Sequence, residues 1–149
     1  MTPAFKTIST KSGFMLYEVV VVMAIISIVS AISMLNYMSW IPEIRLNGAA
    51  RQVMSDLVAA RMTSVKENVS VAVTFLDNHS YSVTAGIGTG TATATIRDLQ
   101  PDYPGTALVK FNSVLFSSKG TASLSTLTLQ NSSGIKKITI AITGRVKIN

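Results

Sequence analysis

The chain has 149 residues, a formal net charge of +6 and no cysteine, and 48% of its residues are hydrophobic while only 13% are charged. This length fits one domain of ordinary size. The absence of cysteine excludes a disulfide scaffold, a thiolate zinc site and a cysteine nucleophile. With His79 as the single histidine, we expect neither a metal nor a cofactor. The mean hydropathy of +0.42 is high for a soluble globular protein, so apolar residues either fill the core or concentrate in one segment.

One apolar segment near the N-terminus supplies much of this hydropathy. Residues 14–35 read FMLYEVVVVMAIISIVSAISML and contain one charge, Glu18. As a helix, residues 19–35 would extend about 25 Å, and the whole segment approaches the ~30 Å of a bilayer core. Lys6 and Lys11 precede it. The length and hydropathy of the segment predict a single-pass membrane helix. The positive-inside tendency predicts that its N-terminus is cytoplasmic and that the rest of the chain lies on the far side.

A secretory signal peptide, cleaved near residues 31–33, is the alternative interpretation. It fits less well, because the apolar run exceeds the usual length of about 7–15 residues and begins with a glutamate. A carboxylate at the edge of hydrocarbon costs about 2–3 kcal/mol, so Glu18 needs a partner. No cation follows within the next helical turns. A cut just before Phe14 would create a free amino group that supplies one.

The residues around this cut resemble the start of type IV prepilins, including the pseudopilins of type II secretion. The positions that match are Gly13, Phe14, Leu16 and Glu18. Met15 and Tyr17 depart from the usual Thr and Ile. The resemblance implies that a prepilin peptidase removes a leader, residues 1–13, after Gly13, and that Phe14 is then N-methylated. It also implies that Glu18 neutralises the Phe14 amine of a neighbouring subunit during assembly.

Small residues recur on one face of this helix, at Ala24, Ser27 and Ala31. Small side chains let a neighbouring helix approach closely. For any one of these residues, an ordinary position in a membrane helix is about as good an interpretation as a helix-packing contact, and both interpretations stay open.

Beyond Pro42, which interrupts the helix or marks a kink, the pattern becomes amphipathic. The apolar residues predicted for one face are Leu46, Ala50, Val53, Leu57 and Val58, with Met54 and Val65 nearby. Polar residues mostly fall opposite. We therefore predict one long helix, with a membrane and assembly half over residues 14–41 and an amphipathic half over residues 42–68.

From residue 69 the hydrophobic period changes to two. Residues 69–75 alternate, and Asp77-Asn78 supplies a turn into residues 80–84, which predicts a hairpin. Residues 86–95, GIGTGTATAT, are interpreted as a flexible loop or an edge strand, since no Gly-Lys-Ser/Thr follows to make a phosphate loop. Further strand-like runs cover residues 107–111, 114–117, 124–130, 135–142 and 145–148. Residues 69–149 are thus predicted to form an antiparallel β-sheet domain.

Two stretches of this second part resemble GspH/FimT-type minor pilins and pseudopilins. They are residues 48–75 and residues 116–149, and the latter ends with a Gly-Arg-x-basic tetrad at residues 144–147. The resemblance implies an α+β, type IV pilin-like fold and a subunit that primes or caps a type IV pilus or a type II secretion pseudopilus. It implies an inner-membrane location before assembly. The implied partners are other pilin subunits through the N-terminal helix, the prepilin peptidase and the inner-membrane assembly platform.

No catalytic residue is predicted. Asp77, His79 and Ser80 lie within four residues on a predicted turn, where polar groups satisfy the backbone. A catalytic triad instead converges from separate elements. Asp98 and Asp102 flank a proline turn and are interpreted as part of a solvated loop rather than a cation site.

Positive charge dominates the last third of the chain. Asp102 is the last acidic residue, and the cations that follow are Lys110, Lys119, Lys136, Lys137, Arg145 and Lys147. Period two places Arg145 and Lys147 on one face of their strand, and Lys136 and Lys137 are candidates to join them in a phosphate-binding patch.

The tetrad at residues 144–147 adds a functional alternative. In FimT-like minor pilins of naturally competent bacteria, a C-terminal Gly-Arg-x-Arg motif is associated with DNA binding. Here Lys147 stands in the last place and lacks the bidentate fork of arginine. No aromatic residue is interleaved with these cations, so base stacking is not predicted. The other interpretation is a solvated basic face that aids solubility or docks acidic partner pilins.

Overall fold

The computed structural model describes residues 15–88, 90 and 92–149, with only the backbone described at residues 33–36. The leader, residues 1–13, and the Gly13–Phe14 junction lie outside the described residues. The chain divides into two compact units, residues 1–38 and residues 39–149.

The first unit consists, where it is described, of the first half of helix α1, which extends over Leu16–Lys66. Every side chain of residues 15–32 is exposed, and nearly all are apolar. Within the described residues no single helix is apolar enough over sufficient length to cross a bilayer, but Leu16–Ile32 and Tyr37–Lys66 meet that requirement when taken together. The membrane span over residues 14–41 therefore stays a prediction.

The second half of α1 belongs to the second unit. Pro42 lies inside the helix, and its carbonyl oxygen accepts a hydrogen bond from the Asn131 side chain. The helix ends before Asn68, whose φ of 53° is the left-handed conformation typical of a helix C-terminus. The buried stripe of this half follows the predicted helical period: Leu46, Ala49, Ala50, Val53, Leu57, Ala60 and Ser64.

Val58 does not lie on this stripe. Its side chain is 38% exposed, because one helical residue turns the chain by about 100° away from the buried Leu57. Ala49, Ala60 and Ser64 take its place in the core, and their small side chains let the helix approach the sheets closely.

The first sheet contains β1 (Ser70–Phe75), β2 (Ser80–Ile87), β3 (Thr93–Asp98) and β5 (Val114–Phe116), all antiparallel in the order β3–β2–β1–β5. The predicted hairpin is therefore β1–β2. Of the glycine-rich residues 86–95, the first two end β2 and the last three begin β3, while Gly88, Gly90 and Ala92 lie in neither strand and Thr89 and Thr91 lie outside the described residues. Each interpretation therefore holds for part of the segment: residues 93–95 belong to the edge strand β3, and the described residues between β2 and β3 form a connection.

The second sheet contains β4 (Ala107–Lys110), β6 (Ser125–Asn131), β7 (Gly134–Ile140) and β8 (Val146–Ile148), in the order β4–β6–β7–β8 and again antiparallel. The antiparallel β domain predicted for residues 69–149 is thus confirmed, and it is divided into two sheets, a number that periodicity does not determine. The division falls between β4 and β5, which are adjacent in sequence but pair with β6 and β1. Strand partners far apart in sequence are chosen by packing, which periodicity does not report.

The core lies between the buried stripe of α1 and the inner faces of both sheets. Alternate residues of each strand contribute, as period two predicts. The largest fully buried side chains from the sheets are Tyr81, Phe116, Leu108, Leu127, Leu129, Ile138 and Ile140. The outer faces of the sheets remain available for contacts with other molecules.

Candidate functional site

Glu18 lies in the first turn of α1, where its backbone N–H donates to the Met15 carbonyl at 3.0 Å. Its carboxylate is exposed on the apolar segment, which we define as residues 15–32. The next basic residue in the chain is Arg45, well outside this segment. The partial positive charge at the helix N-terminus favours a carboxylate here, typically by 0.3–1 kcal/mol, or roughly a third of the cost at a hydrocarbon boundary. The helix N-terminus therefore offsets only part of the cost of placing the Glu18 carboxylate beside hydrocarbon, and a further positive charge near Glu18 would stabilise it.

Three small residues of the apolar segment, Ala24, Ser27 and Ala31, share one face of the helix. The Ser27 hydroxyl donates to the Met23 carbonyl oxygen at 2.7 Å, so its hydrogen is already used within the helix. Ala24 and Ala31, three residues before and four after it, complete the face. Small side chains on this face let another helix approach closely.

Cations gather on the outer face of the second sheet. Lys110 pairs with Thr128, and Thr128 pairs with Lys137, so both lysines lie in one row across three strands. Lys147 pairs with Thr139, two residues further along β7. Residues directly opposite in antiparallel strands, and residues two apart in one strand, share a face. These three lysines therefore point outward together, and all are exposed.

Arg145 joins this face through the β7–β8 turn. The Ala141 N–H donates to the Arg145 carbonyl at 2.9 Å, which places Arg145 beside Ala141 and two residues beyond Thr139. We call Lys110, Lys137, Arg145 and Lys147 the basic face. A surface depression of about 240 Å³ lies at its β8 end, lined by Arg145, Lys147 and the polar residues Thr139 and Asn149. Two cations beside a hydroxyl suit a phosphate group.

Lys136 is not on the basic face. It shares the parity of the buried Ile138 and Ile140, is half-buried, and pairs with the buried Leu129 of β6. The four predicted basic residues therefore do not share one surface. Lys137, Arg145 and Lys147 lie together on the basic face, and Lys136 points to the opposite side of the sheet. The buried isoleucines already carried this information, because a strand cannot turn two adjacent lysines to one face.

Gly144, the first residue of the tetrad, is held by α1. The Arg61 Nε donates to the Gly120 carbonyl oxygen at 3.0 Å, and Gly144 packs against both groups. Gly144 has a φ of 76°, and a Cβ there would collide with the Gly120 oxygen and come within 2.6 Å of Arg61 Nε. The glycine is therefore needed by packing and conformation alike, and it fixes the turn that carries Arg145.

Asp77, His79 and Ser80 form a turn, as predicted. One Asp77 oxygen accepts the His79 and Ser80 amides, each at 2.7 Å, and the other accepts the Ser80 hydroxyl at 2.7 Å. These hydrogen bonds, from the His79 amide first and then from Ser80, hold the pKa of Asp77 below its usual value. Both oxygens of the Asp77 carboxylate therefore accept hydrogen bonds from within its own turn.

Two further carboxylates have local roles. Asp98 is the last residue of β3 rather than part of a loop, and its side chain accepts a hydrogen bond from the Gln100 amide at 2.9 Å. Asp102 lies exposed in the following turn. Among the described residues no three His, Asp or Glu side chains cluster closely enough to hold a metal ion.

A polar cluster that the sequence did not indicate joins α1 to the first sheet. Asp56 Oδ2 accepts the Tyr81 hydroxyl at 2.6 Å, and Gln52 Nε2 lies 3.3 Å from both Asp56 oxygens. Arg97 Nε is 3.9 Å from Asp56 Oδ2. Burial first, and then the hydrogen bond to Asp56 and its charge, raise the pKa of Tyr81 far above its usual value. Because Asp56 and Tyr81 are 25 residues apart, no local pattern predicts their contact.

Comparison with known families matches residues 49–144 to the family described as Type II transport protein GspH. The match joins the second half of α1 to both sheets. It ends at Gly144 and begins after Gly48, so Arg145, Lys147 and Glu18 all lie outside it. No curated protein matches the chain significantly.

Among solved structures, the chain is similar to two crystal forms of the type IV minor pilin FimU from Pseudomonas aeruginosa strain PAO1. The form in space group P21 has a TM-score of 0.59 at 17% identity, over 72% of this chain and 90% of FimU. The form in space group P65 has a TM-score of 0.56 at 18% identity, over 70% of this chain and 92% of FimU. These likenesses confirm the predicted type IV pilin-like α+β fold.

Proposed function

Since the chain belongs to the Type II transport protein GspH family, and so to the GspH/FimT-type minor pilins and pseudopilins, we propose that it primes or caps a type IV pilus or a type II secretion pseudopilus. The observation that carries this proposal is the apolar segment. Its large side chains are exposed, for example Val22 at 50% and Ile26 at 58%, and a single carboxylate interrupts them. Such a surface needs lipid or other apolar helices around it.

The proposal includes a processing step and a location. Cleavage after Gly13 by a prepilin peptidase, followed by N-methylation of Phe14, creates the amine that Glu18 of a neighbouring subunit neutralises. Before assembly the apolar segment holds the chain in the bacterial inner membrane, with a cytoplasmic N-terminus and a periplasmic β domain. The inner-membrane assembly platform then transfers it into the filament, where it contacts other pilin subunits through α1.

Glu18→Ala tests the assembly role. We expect the variant to enter the membrane normally, because removing a charge from an apolar segment lowers the cost of insertion. Its amount in sheared filaments should fall at least about tenfold, since an interaction of 1.4 kcal/mol corresponds to that factor. Quantitative immunoblots of the membrane and filament fractions measure both effects.

Glu43→Ala is the matched control, because Glu43 is an exposed glutamate of α1 outside the apolar segment. It should leave both fractions unchanged. Equal incorporation of the Glu18→Ala variant and the wild type would contradict the proposed role of Glu18.

Processing has its own test. In cells that contain the peptidase, intact-mass analysis of the membrane form should show a chain that begins at a methylated Phe14. Gly13→Leu should preserve the full leader. A wild-type chain that keeps Met1 in such cells would rule out this step.

The basic face supports DNA binding as a second candidate function. Lys110, Lys137, Arg145 and Lys147 share one exposed surface, and the chain has no acidic residue after Asp102. Neutral side chains surround the cations on this face, mainly Thr126, Thr128 and Thr139, and supply hydroxyls for phosphate oxygens. Binding through phosphates alone is expected to be independent of base sequence.

Two adjacent lysines provide a sharp test of this candidate. Lys137→Ala should weaken binding of duplex DNA by the purified full-length chain in detergent micelles, whereas Lys136→Ala should have little effect because Lys136 points to the opposite face. The slope of log affinity against log salt should become less steep by roughly 0.9 for each phosphate that the variant no longer neutralises. Equal effects of the two substitutions, or no binding at low salt, would reject the candidate.

A further inference from the structure

We propose that the free edge of β3, together with the cavity beneath it, binds an extended peptide strand that carries one large apolar side chain. The site lies wholly in the second unit. It involves neither Glu18 nor the basic face, so the inference goes beyond the proposed function and can fail without affecting it.

The edge of β3 is the least protected sheet edge among the described strands. It is the end strand of its sheet, and all six of its residues are exposed. By contrast, β8 carries Lys147, β5 has three residues, and β4 contains a bulge. Cations, short length and bulges each discourage the addition of another strand. β3 lacks these features over Thr93–Ile96.

The backbone of β3 presents hydrogen-bonding groups to this edge. The Leu99 N–H donates to the His79 carbonyl at 2.9 Å, which fixes the pairing pattern of β2 and β3. Because hydrogen-bonded pairs alternate in antiparallel strands, Thr93, Thr95 and Arg97 bond to β2. Ala94 and Ile96 therefore direct their N–H and C=O groups away from β2. An added strand can bond to these two residues.

A cavity of about 180 Å³ lies between α1 and the inner side of β2 and β3. Its apolar lining consists of the small residues Ala59, Ala60 and Ala85 with Val71 and Val83, and its polar lining residues are Asp56, Thr63, Thr95 and Arg97. A cavity of about 150 Å³ accommodates a benzene ring, so this one has room for a phenylalanine or leucine side chain. Alternate residues of a strand added to β3 would point toward it.

The surroundings of the cavity define the chemistry of the occupant. Arg97 lies on its rim with a side chain that is 57% exposed, and its contact with Asp56 is long at 3.9 Å. The nearest donor to Asp56 is instead the Tyr81 hydroxyl at 2.6 Å. Arg97 is thus available to an acidic residue two positions from the apolar one on the same strand.

The partner is a strand of another protein rather than β3 of a second copy. The inward residues of β3 are Thr93, Thr95 and Arg97. A second β3 would therefore offer threonine or arginine to an apolar cavity, which leaves the cavity unfilled or buries a charge. Main-chain hydrogen bonds give such a site affinity, and the pocket gives it specificity.

A labelled peptide, Thr-Val-Thr-Phe-Thr-Asp-Thr, probes the site in the full-length chain in detergent micelles. Fluorescence anisotropy should show saturable binding below about 1 mM, and replacing the peptide Phe with Ala should weaken it at least about tenfold. Amide hydrogen exchange should slow at Ala94 and Ile96 when the peptide is bound. No saturable binding in this range would overturn the proposal.

Two pairs of protein variants locate the binding. Ile96→Pro removes an edge N–H without removing a bond to β2 and should weaken binding about tenfold, while Ile96→Val should not. Ala59→Leu fills the cavity from the exposed side of α1 and should abolish binding, while Ser55→Leu adds the same side chain outside the cavity and should not. Circular dichroism verifies folding of each variant. Unchanged binding by the folded Ala59→Leu variant would overturn the proposal.

Discussion

The two halves of α1 differ both in how many apolar residues they contain, 15 of 18 over residues 15–32 against 12 of 25 over residues 42–66, and in how these residues are arranged around the helix. Residues 15–32 expose apolar side chains on every side, whereas in the second half the buried residues recur every three or four positions, from Leu46 to Ser64. The apolar residues of the second half are therefore largely buried within their own domain, whereas those of the first half need lipid or another protein to cover them. A helix that is apolar on every side needs apolar surroundings all around it, whereas one with a single apolar stripe can bury that stripe against its own domain.

The largest expected difference between the halves concerns stability of the β domain. Leu57→Ala should lower the free energy of unfolding by about 2–5 kcal/mol, because it leaves a cavity in the core. Ile26→Ala should change it by less than about 0.5 kcal/mol, because Ile26 is exposed and belongs to the other unit. Thermal unfolding of the full-length chain in detergent, followed by near-ultraviolet circular dichroism, compares them. Similar losses of unfolding free energy in both variants would contradict the view that the second half of α1, and not the first, packs into the β domain.

The packing of Arg61 against the two glycine turns is the next largest expected effect. Gly144→Ala should destabilise the chain by more than about 2 kcal/mol, since it adds a collision to an unfavourable φ. Gly105→Ala is the matched control, because Gly105 has a φ of 82° but nothing within 4 Å of its Cβ position. Its loss should be about 1 kcal/mol. Equal losses in urea unfolding would show that the packing against Arg61 contributes nothing.

The Asp56–Tyr81 hydrogen bond joins the second half of α1 to β2 and should make the stability of the folded chain fall at alkaline pH. Because the pKa of Tyr81 is raised in the folded chain, its stabilisation is complete below the usual tyrosine pKa of about 10 and is lost as pH rises beyond it. Tyr81→Phe should cost about 1–2 kcal/mol at neutral pH. It should also flatten the decline in melting temperature above about pH 10. An unchanged alkaline decline would contradict this assignment.

The Asp77 turn is held by exposed hydrogen bonds and should give the smallest effect. The pKa of Asp77 is lowered in the folded chain, so its stabilisation is present above about pH 4 and is lost as pH falls through the folded value. Asp77→Asn should therefore reduce the melting temperature slightly at neutral pH and not at low pH. Asp102→Asn, at an exposed aspartate in another turn, is the control. Equal behaviour of the two variants would argue against the turn hydrogen bonds.

Local patterns predicted most of the elements. Period two located seven of the eight strands, and the switch from uniformly apolar to amphipathic marked the two halves of α1. The eighth strand, β3, was not predicted as a whole: residues 93–95 belonged to the segment interpreted as a loop or an edge strand, and residues 96–98 were assigned to no element. Polar and apolar residues alternate in β3, but the apolar Ala94 and Ile96 are exposed, so the alternation does not mark a buried face.

Contacts between distant residues escaped prediction. The basic face required the pairing of Lys110 with Thr128, which depends on the order of strands in the second sheet. The Asp56–Tyr81 hydrogen bond and the Arg61–Gly120 hydrogen bond likewise join segments that only the tertiary fold brings together. The exclusion of Lys136 from the basic face was different, because the parity of Ile138 and Ile140 was sufficient to predict it.

Crosslinking from the apolar segment tests most directly whether the chain assembles through the first half of α1. The chain has no cysteine, so an Ile26→Cys variant can carry a single maleimide–benzophenone label in the first half of α1, and a Met62→Cys variant can carry it in the second. After illumination of sheared filaments, the Ile26→Cys variant should form an adduct with another pilin subunit, identified by mass spectrometry. If the labelled chain is present in filaments but only the Met62→Cys variant crosslinks to a pilin, assembly through the apolar segment is contradicted.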